Sequence, residues 1–196
     1  SSPANNNFIY FIESTPRMRY SDRFMVSLTM SYNKNLNDYG WVYTDEEASG
    51  TVNSWFGRRD VTTISNVLNA RYIFSTKLSV TLRARHYWSK ADYADYYILQ
   101  DDGSLKATAS ELNEDINFNA FTADVNFGWY FAPGSELNVM WKNSIYTIND
   151  ELVENYFNDF RQTIVAPQTN GFSVRFLYYI DYLYVKKWFG KTTPAK

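Results

Sequence analysis

Apolar and polar residues alternate with a period of two along most of this chain. From Phe24 onward, Val26, Leu28, Met30 and Tyr32 fall on one side, while Ser27, Thr29, Ser31 and Asn33 fall on the other. That period is the signature of a strand with two chemically different faces. The strand extends through Trp41-Val42-Tyr43, beyond the ~5–6 residues usual in soluble sheets. The pattern recurs from Val52 to Phe74, where Ile64, Leu68, Ala70, Tyr72 and Phe74 oppose Ser65, Asn69 and Arg71. It returns at Leu78, Val80, Leu82 and Ala84, in a strand that runs on through His86-Tyr87-Trp88 toward an aromatic cluster at Tyr93, Tyr96 and Tyr97. Asp115–Phe131, a strand opening at Leu137, and a last one from Gly171 to Tyr182 follow the same rule. Before all of these, Asn7–Tyr20 reads as a strand that Pro16 confines to an edge or a bulge. The sequence thus predicts seven strands.

Their connections sort by length. Short ones lie near 21–22, 75–77 and 132–135, and long polar ones near 44–51, 100–114 and 148–169, in strict alternation. The last long loop has room for a short helix near Glu151–Phe157. Outer-membrane barrels have short periplasmic turns and long extracellular loops, and about 9–11 tilted residues cross the hydrocarbon. The expected fold is therefore all-β: an antiparallel transmembrane β-barrel wall of about 7–8 strands in the cell outer membrane. Residues 1–7 are expected to be disordered or a loop end, 8–185 the outer-membrane barrel strands and 186–196 a basic periplasmic tail. Single-chain bacterial barrels have even strand numbers. The count of seven thus implies the C-terminal part of a larger barrel, or one further strand hidden near residues 36–60.

Composition narrows this without settling it. Aromatic residues make up 19% of the 196, yet the mean hydropathy is −0.44, as an alternating lipid-facing and water-facing wall requires. A soluble β-sandwich or lipocalin-like binding module with an aromatic core has the same composition. No apolar run reaches the ~18 residues of a membrane helix. A net charge of −2 lacks the basic footprint of a nucleic-acid binder. The absence of cysteine removes disulfides and thiol chemistry.

Parity places Arg71, Arg83, Arg85, Asp124, Lys142, Arg175 and Asp181 on the water-facing, lumen side. Such a wall sets selectivity for an anionic or sugar-like solute, or it is a cross-strand ion-pair network. Mixed signs on adjacent strands favour the second. Arg58, Arg59 and Asp60, beside Trp55 and Phe56, form an outer-rim charged cluster. It is suited to clamping a carboxylate or phosphate, or to closing on itself as an internal salt bridge. His86 is the single histidine and stands without a metal-ligand spacing, so it is expected at the membrane interface. Asp101-Asp102-Gly103 is expected to be a turn. Ser89 and His86 are the only nucleophile and base neighbours, and no Gly-x-Ser-x-Gly motif accompanies them. The expectation is a non-enzymatic protein without cofactor or metal. The expected role is a porin-like channel or a component of a membrane complex; the alternatives are a soluble all-β ligand-binding module and, second, an outer-membrane barrel hydrolase.

Four motifs occur in order: Phe56-Gly57-Arg58-Arg59-Asp60, Leu82–Ser89, Phe131–Leu137 with Trp141-Lys142-Asn143, and Leu177–Tyr184. Together, over about residues 15–185, they resemble the C-terminal barrel region of domain-of-unknown-function family 5916. The resemblance implies an outer-membrane barrel of Bacteroidota-type bacteria with no established catalysis, often fused to an N-terminal carbohydrate-binding module similar to family nine. The partners it implies are outer-membrane lipid, proteins of a membrane complex, and glycan through that module, which these residues do not include.

Overall fold

The computed structural model describes residues 6–109, 113–153 and 155–189. Nine strands form one open antiparallel sheet. They are β1 (Phe8–Ser14), β2 (Arg17–Arg19), β3 (Phe24–Glu46), β4 (Val52–Ser75), β5 (Leu78–Leu99), β6 (Leu105–Thr108), β7 (Ile116–Ala132), β8 (Ser135–Asn149) and β9 (Gln168–Leu177). Two helices, α1 (Tyr156–Val165) and α2 (Tyr182–Phe189), complete the elements among the described residues. The wall runs β1-β3-β4-β5-β7-β8-β9, with β2 beside β3 and β6 beside β5.

The count of seven holds for the wall because β1 and β2 are one strand with a flaw. Ser14 faces Met30 and Arg17 faces Ser27, so the register does not shift across Pro16. Leu28 N–H still donates to the Pro16 carbonyl at 3.1 Å. Proline therefore withdraws one ladder donor and nothing more, which an edge strand tolerates. No extra strand hides near 36–60. That stretch belongs to β3 and β4, whose ladder absorbs register shifts between Asn35 and Asp38 and between Trp41 and Thr44.

The short connections are where the pattern places them. Two of them are two-residue turns, Thr76–Lys77 between the facing Ser75 and Leu78, and Pro133–Gly134 between the facing Ala132 and Ser135. Gly134 has φ 70°, the left-handed value that a turn with proline before it requires. At the other end of the sheet the strands run further than expected. Asp45 and Glu46, read as loop, continue β3 and face Asn53 and Val52. Between Leu99 and Leu105 the chain turns tightly at Gly103 (φ 79°) and returns as β6 along β5.

The C-terminal end differs from the expectation. The alternation through Tyr178, Ile180 and Tyr182 suggested a strand, but the ladder ends at Leu177. Tyr179 N–H donates instead to Ser135 Oγ at 2.9 Å, and Asp181 Oδ1 accepts from Leu183 N–H at 2.9 Å. Asp181 thus opens α2 as an N-cap. It is not a member of the wall's charged set.

Register assigns the faces. On one, Val26, Ala70, Leu82, Val125, Trp141 and Phe172 stand in a row across six strands. From Tyr32, Ile64 and Trp88 down to the short turns, the described residues of this apolar face include no Asp, Glu, Lys or Arg; the first charges above are Lys34 and Lys90. The opposite row, Ser27, Asn69, Arg83, Asp124, Lys142 and Gly171, is polar. Near the turns, aromatic rings on the apolar side touch in chains. Tyr20 stacks on Phe24 at 5.4 Å, and Phe24 meets Tyr72 at 6.0 Å. Phe131 stacks on Phe176 at 5.4 Å and on Tyr178 at 6.2 Å.

Candidate functional site

The polar face gathers six of the seven charges that parity assigned to it: Arg71, Arg83, Arg85, Asp124, Lys142 and Arg175. Asp124 sits directly opposite Arg83 on one side and Lys142 on the other, and Arg85 donates to its Oδ2 at 2.8 Å from the diagonal position. Arg175 reaches Glu136 at 3.4 Å. Both pairs are solvated and individually weak, about 0–1 kcal/mol each. Between β3 and β8 this face holds a concavity of about 480 Å³, lined by Arg71, Arg83 and Asp124, by the polar Ser27, Asn69, Thr81 and Asn126, and by Met25 and Met140.

The outer-rim cluster is fully engaged within the wall. Arg58 Nε donates to Asp95 Oδ2 at 2.7 Å, and its Nη1 donates to Asn37 Oδ1 at 2.7 Å. The Asp95 hydrogen bond holds the Arg58 pKa above its ordinary value. Arg59 donates to Asp38 at 2.9 Å and to the Tyr93 hydroxyl at 2.7 Å, with its guanidinium 5.5 Å from the Tyr93 ring centre. Asp60 accepts from the Asn37 N–H at 2.9 Å. Asn37 has φ 54°, a left-handed conformation that asparagine tolerates, so Asp60 pins the bulge. Room for these long side chains comes from a glycine pair, Gly40 opposite Gly57. The Tyr93 ring lies over Gly57 and the Arg59 guanidinium over Gly40, each where a Cβ would stand.

A second polar assembly was not legible in the sequence. Helix α1 lies on the apolar face and covers the upper part of the uncharged band, where Tyr156 and Phe160 pack on Asn66, His86 and Phe121. Asn155 caps it, its side chain accepting from Phe157 and Asn158 N–H, and Pro167 follows its end. Tyr156, Asp159, Phe160 and Thr163 turn toward the sheet. The Tyr156 hydroxyl accepts from Asn66 Nδ2 at 2.7 Å and meets His86 Nδ1 at 2.9 Å. Asn117 accepts from the Trp88 indole at 2.7 Å and donates to Asp159 at 2.9 Å. His86, expected at an interface, is instead 4% exposed beneath the helix. It points away from Ser89, which lies on the opposite face against Thr63 at 3.2 Å, so these two do not meet as base and nucleophile. Nearby, Asn143 donates to Gln168 at 2.7 Å and to Asn170 at 3.1 Å, so the amides of the β8–β9 edge satisfy one another.

Asn117→Ala is expected to loosen α1. It leaves the Trp88 N–H and one Asp159 oxygen buried without partners, at about 1–3 kcal/mol for each unsatisfied group. Hydrogen exchange should speed up at residues 156–165 while the β3–β4 ladder keeps its protection. Uniform acceleration across both would remove the local role given to this network.

One open antiparallel sheet, with an uncharged face and a face that collects cations, defines the class: an all-β wall with two chemically separate sides. Within it, the chain belongs to the family described as a domain of unknown function (DUF5916), whose profile matches residues 1–189. No curated protein and no solved structure matches.

Proposed function

We propose that this chain is part of the wall of an outer-membrane β-barrel. It acts without catalysis, as a porin-like channel or as the membrane component of a larger complex. The carrying observation is the uncharged band. Along β3 it runs from Phe24 to Tyr32, close to the ~9–11 tilted residues that cross hydrocarbon. The ring chains edge it at the short-turn end, as an interfacial aromatic girdle does. A soluble module would cover this face, whereas Phe172, Val174 and Phe176 at its edge are 76%, 67% and 63% exposed. Contiguous apolar exposure of that kind marks a surface meeting another phase or partner. In this reading lipid covers the apolar face below α1, the long connections are extracellular, and the short turns and C-terminal end are periplasmic. The resemblance drawn from the four sequence motifs implies the same address, the outer membrane of Bacteroidota-type bacteria. Any link to glycan would come through a module outside these residues.

Fractionation of cells that produce the intact protein tests this. It should stay in the membrane pellet through carbonate and urea washes. After detergent extraction it should run as a heat-modifiable band in electrophoresis. Recovery as a folded monomer from the aqueous fraction without detergent would overturn the membrane reading in favour of a soluble binding module.

A further inference from the structure

We infer that the polar face is an oxyanion-selective surface, with Arg71 and Arg83 as its binding station for small solutes bearing phosphate, sulfate or carboxylate. The inference rests on the channel reading above and names the solute class of that same face.

Charge segregation is the first argument. The chain as a whole carries −2, yet this face is basic. Arg17 and Arg19, opposite Ser27 and Met25, join the five cations already placed there. Glu13, Asp124 and Glu136 oppose them on the same side, and Asp22 in the adjoining turn pairs with Arg19 at 2.8 Å, which leaves the cations in excess. Acids gather instead toward the long-loop end, at Asp45, Glu46, Glu47, Asp101 and Asp102. A wall built only for cross-strand pairing would balance its signs locally. Here one carboxylate, Asp124, stands among Arg83, Arg85 and Lys142, and the surplus positive field remains. Low-dielectric walls focus such a field into the space they enclose.

Geometry is the second argument. Among the described residues no ion pair engages Arg71 or Arg83. Arg71 faces Thr81, and Arg83 stands two residues further along the same strand. Diagonal neighbours of this kind lie roughly 7–8 Å apart, a distance two guanidinium groups bridge onto one tetrahedral or planar oxyanion. Guanidinium presents paired N–H donors that match such oxygens, and it is more weakly hydrated than ammonium. Around the two arginines, Ser27, Asn69, Thr81 and Asn126 line the concavity together with Met25 and Met140, and its one carboxylate, Asp124, is already held by Arg85. Hydroxyl and amide N–H groups there complete a hydrogen-bonding shell for the anion without adding charge.

The test uses the intact protein inserted in planar bilayers under a steep KCl gradient. The reversal potential should show chloride permeating several-fold better than potassium, and inorganic phosphate should reduce the chloride current. Arg71→Gln with Arg83→Gln should bring the permeability ratio toward unity and abolish the phosphate effect. Arg71→Lys with Arg83→Lys should keep chloride preference but lose most of the phosphate effect, because lysine keeps the field and lacks the fork. Cation-selective or phosphate-insensitive conductance overturns the inference alone. So does a lysine variant blocked as well as the parent. Absence of any conductance from inserted protein overturns the channel reading, and this inference with it.

Discussion

Val125→Arg is expected to keep the protein from assembling in its membrane, whereas Asn126→Arg, one residue on, should assemble almost as well as the parent. Val125 faces Leu82 on β5 and Trp141 on β8, in the middle of the uncharged band. Arginine at the midplane of a lipid-facing wall costs about 2–4 kcal/mol, falling to about 0–1 near the interfaces. Asn126 faces Thr81 and Met140 on the polar side, where an added cation meets water and screened like charges. Depth is the discriminating feature. Trp129→Arg, on the same face at the ring-lined rim, should cost much less than Val125→Arg. A soluble core would also reject arginine at Val125, but it would impose no gradient that follows the distance from a lipid midplane. The measurement is the fraction reaching the heat-modifiable form, followed by a urea titration in lipid. Equal yields for Val125→Arg and Asn126→Arg would falsify the assignment of faces.

Gly57→Ala should produce the second-largest loss, about 1–3 kcal/mol from overpacking. The new methyl enters the space of the Tyr93 ring. That ring cannot retreat freely, because its hydroxyl accepts from Arg59, which is also held by Asp38. Displacing Tyr93 therefore adds a lost hydrogen bond of about 1 kcal/mol. Adding Tyr93→Ala to Gly57→Ala should recover the steric part, so the double variant should be less destabilised than the two single losses combined. Protease cleavage after Arg58 or Arg59 reads the same event locally, since both lie within the β3–β4–β5 ladder. Additive losses in the double variant would mean that Gly57 matters for some reason other than the ring above it.

Much of this architecture was legible because strand parity is rigid. A shift of one residue moves every side chain to the other face, so Val80, Leu82 and Ala84 against Thr81, Arg83 and Arg85 admit one arrangement. Ser21-Asp22 and Pro133-Gly134 marked their turns by chemistry that fits little else. The upper strand ends were hidden for the converse reason. Bulges near Asn37 and Arg58 break the alternation, and Asp45 and Glu46 look like loop although they sit in the ladder. Helix α1 was misplaced, near Glu151–Phe157, because its sheet-facing side carries Asp159 and Thr163, both 2% exposed, while Phe157 is outward at 77% exposure. An apolar stripe is the usual sign of the packed side, and here part of the packed side is polar. At Asp181 the aromatic alternation simply outlasted the partner strand that gave it meaning.

The strands also differ in length in an ordered way: 23, 24 and 22 residues in β3 to β5, then 17, 15 and 10 in β7 to β9. Their short-turn ends are level, so the opposite edge slopes; at about 3.3 Å per residue the top of β4 outreaches that of β9 by about 45 Å of strand. In the orientation proposed above, the mouth is slanted rather than flat. Its high side is the acidic crown of Asp45, Glu46 and Glu47, and its low side is the step beside β8 that α1 occupies. On that proposal the acidic crown would repel an anion arriving from outside, and the low side would admit it. The cationic face would then be approached along a lateral ramp, and access would depend on what else leans against α1.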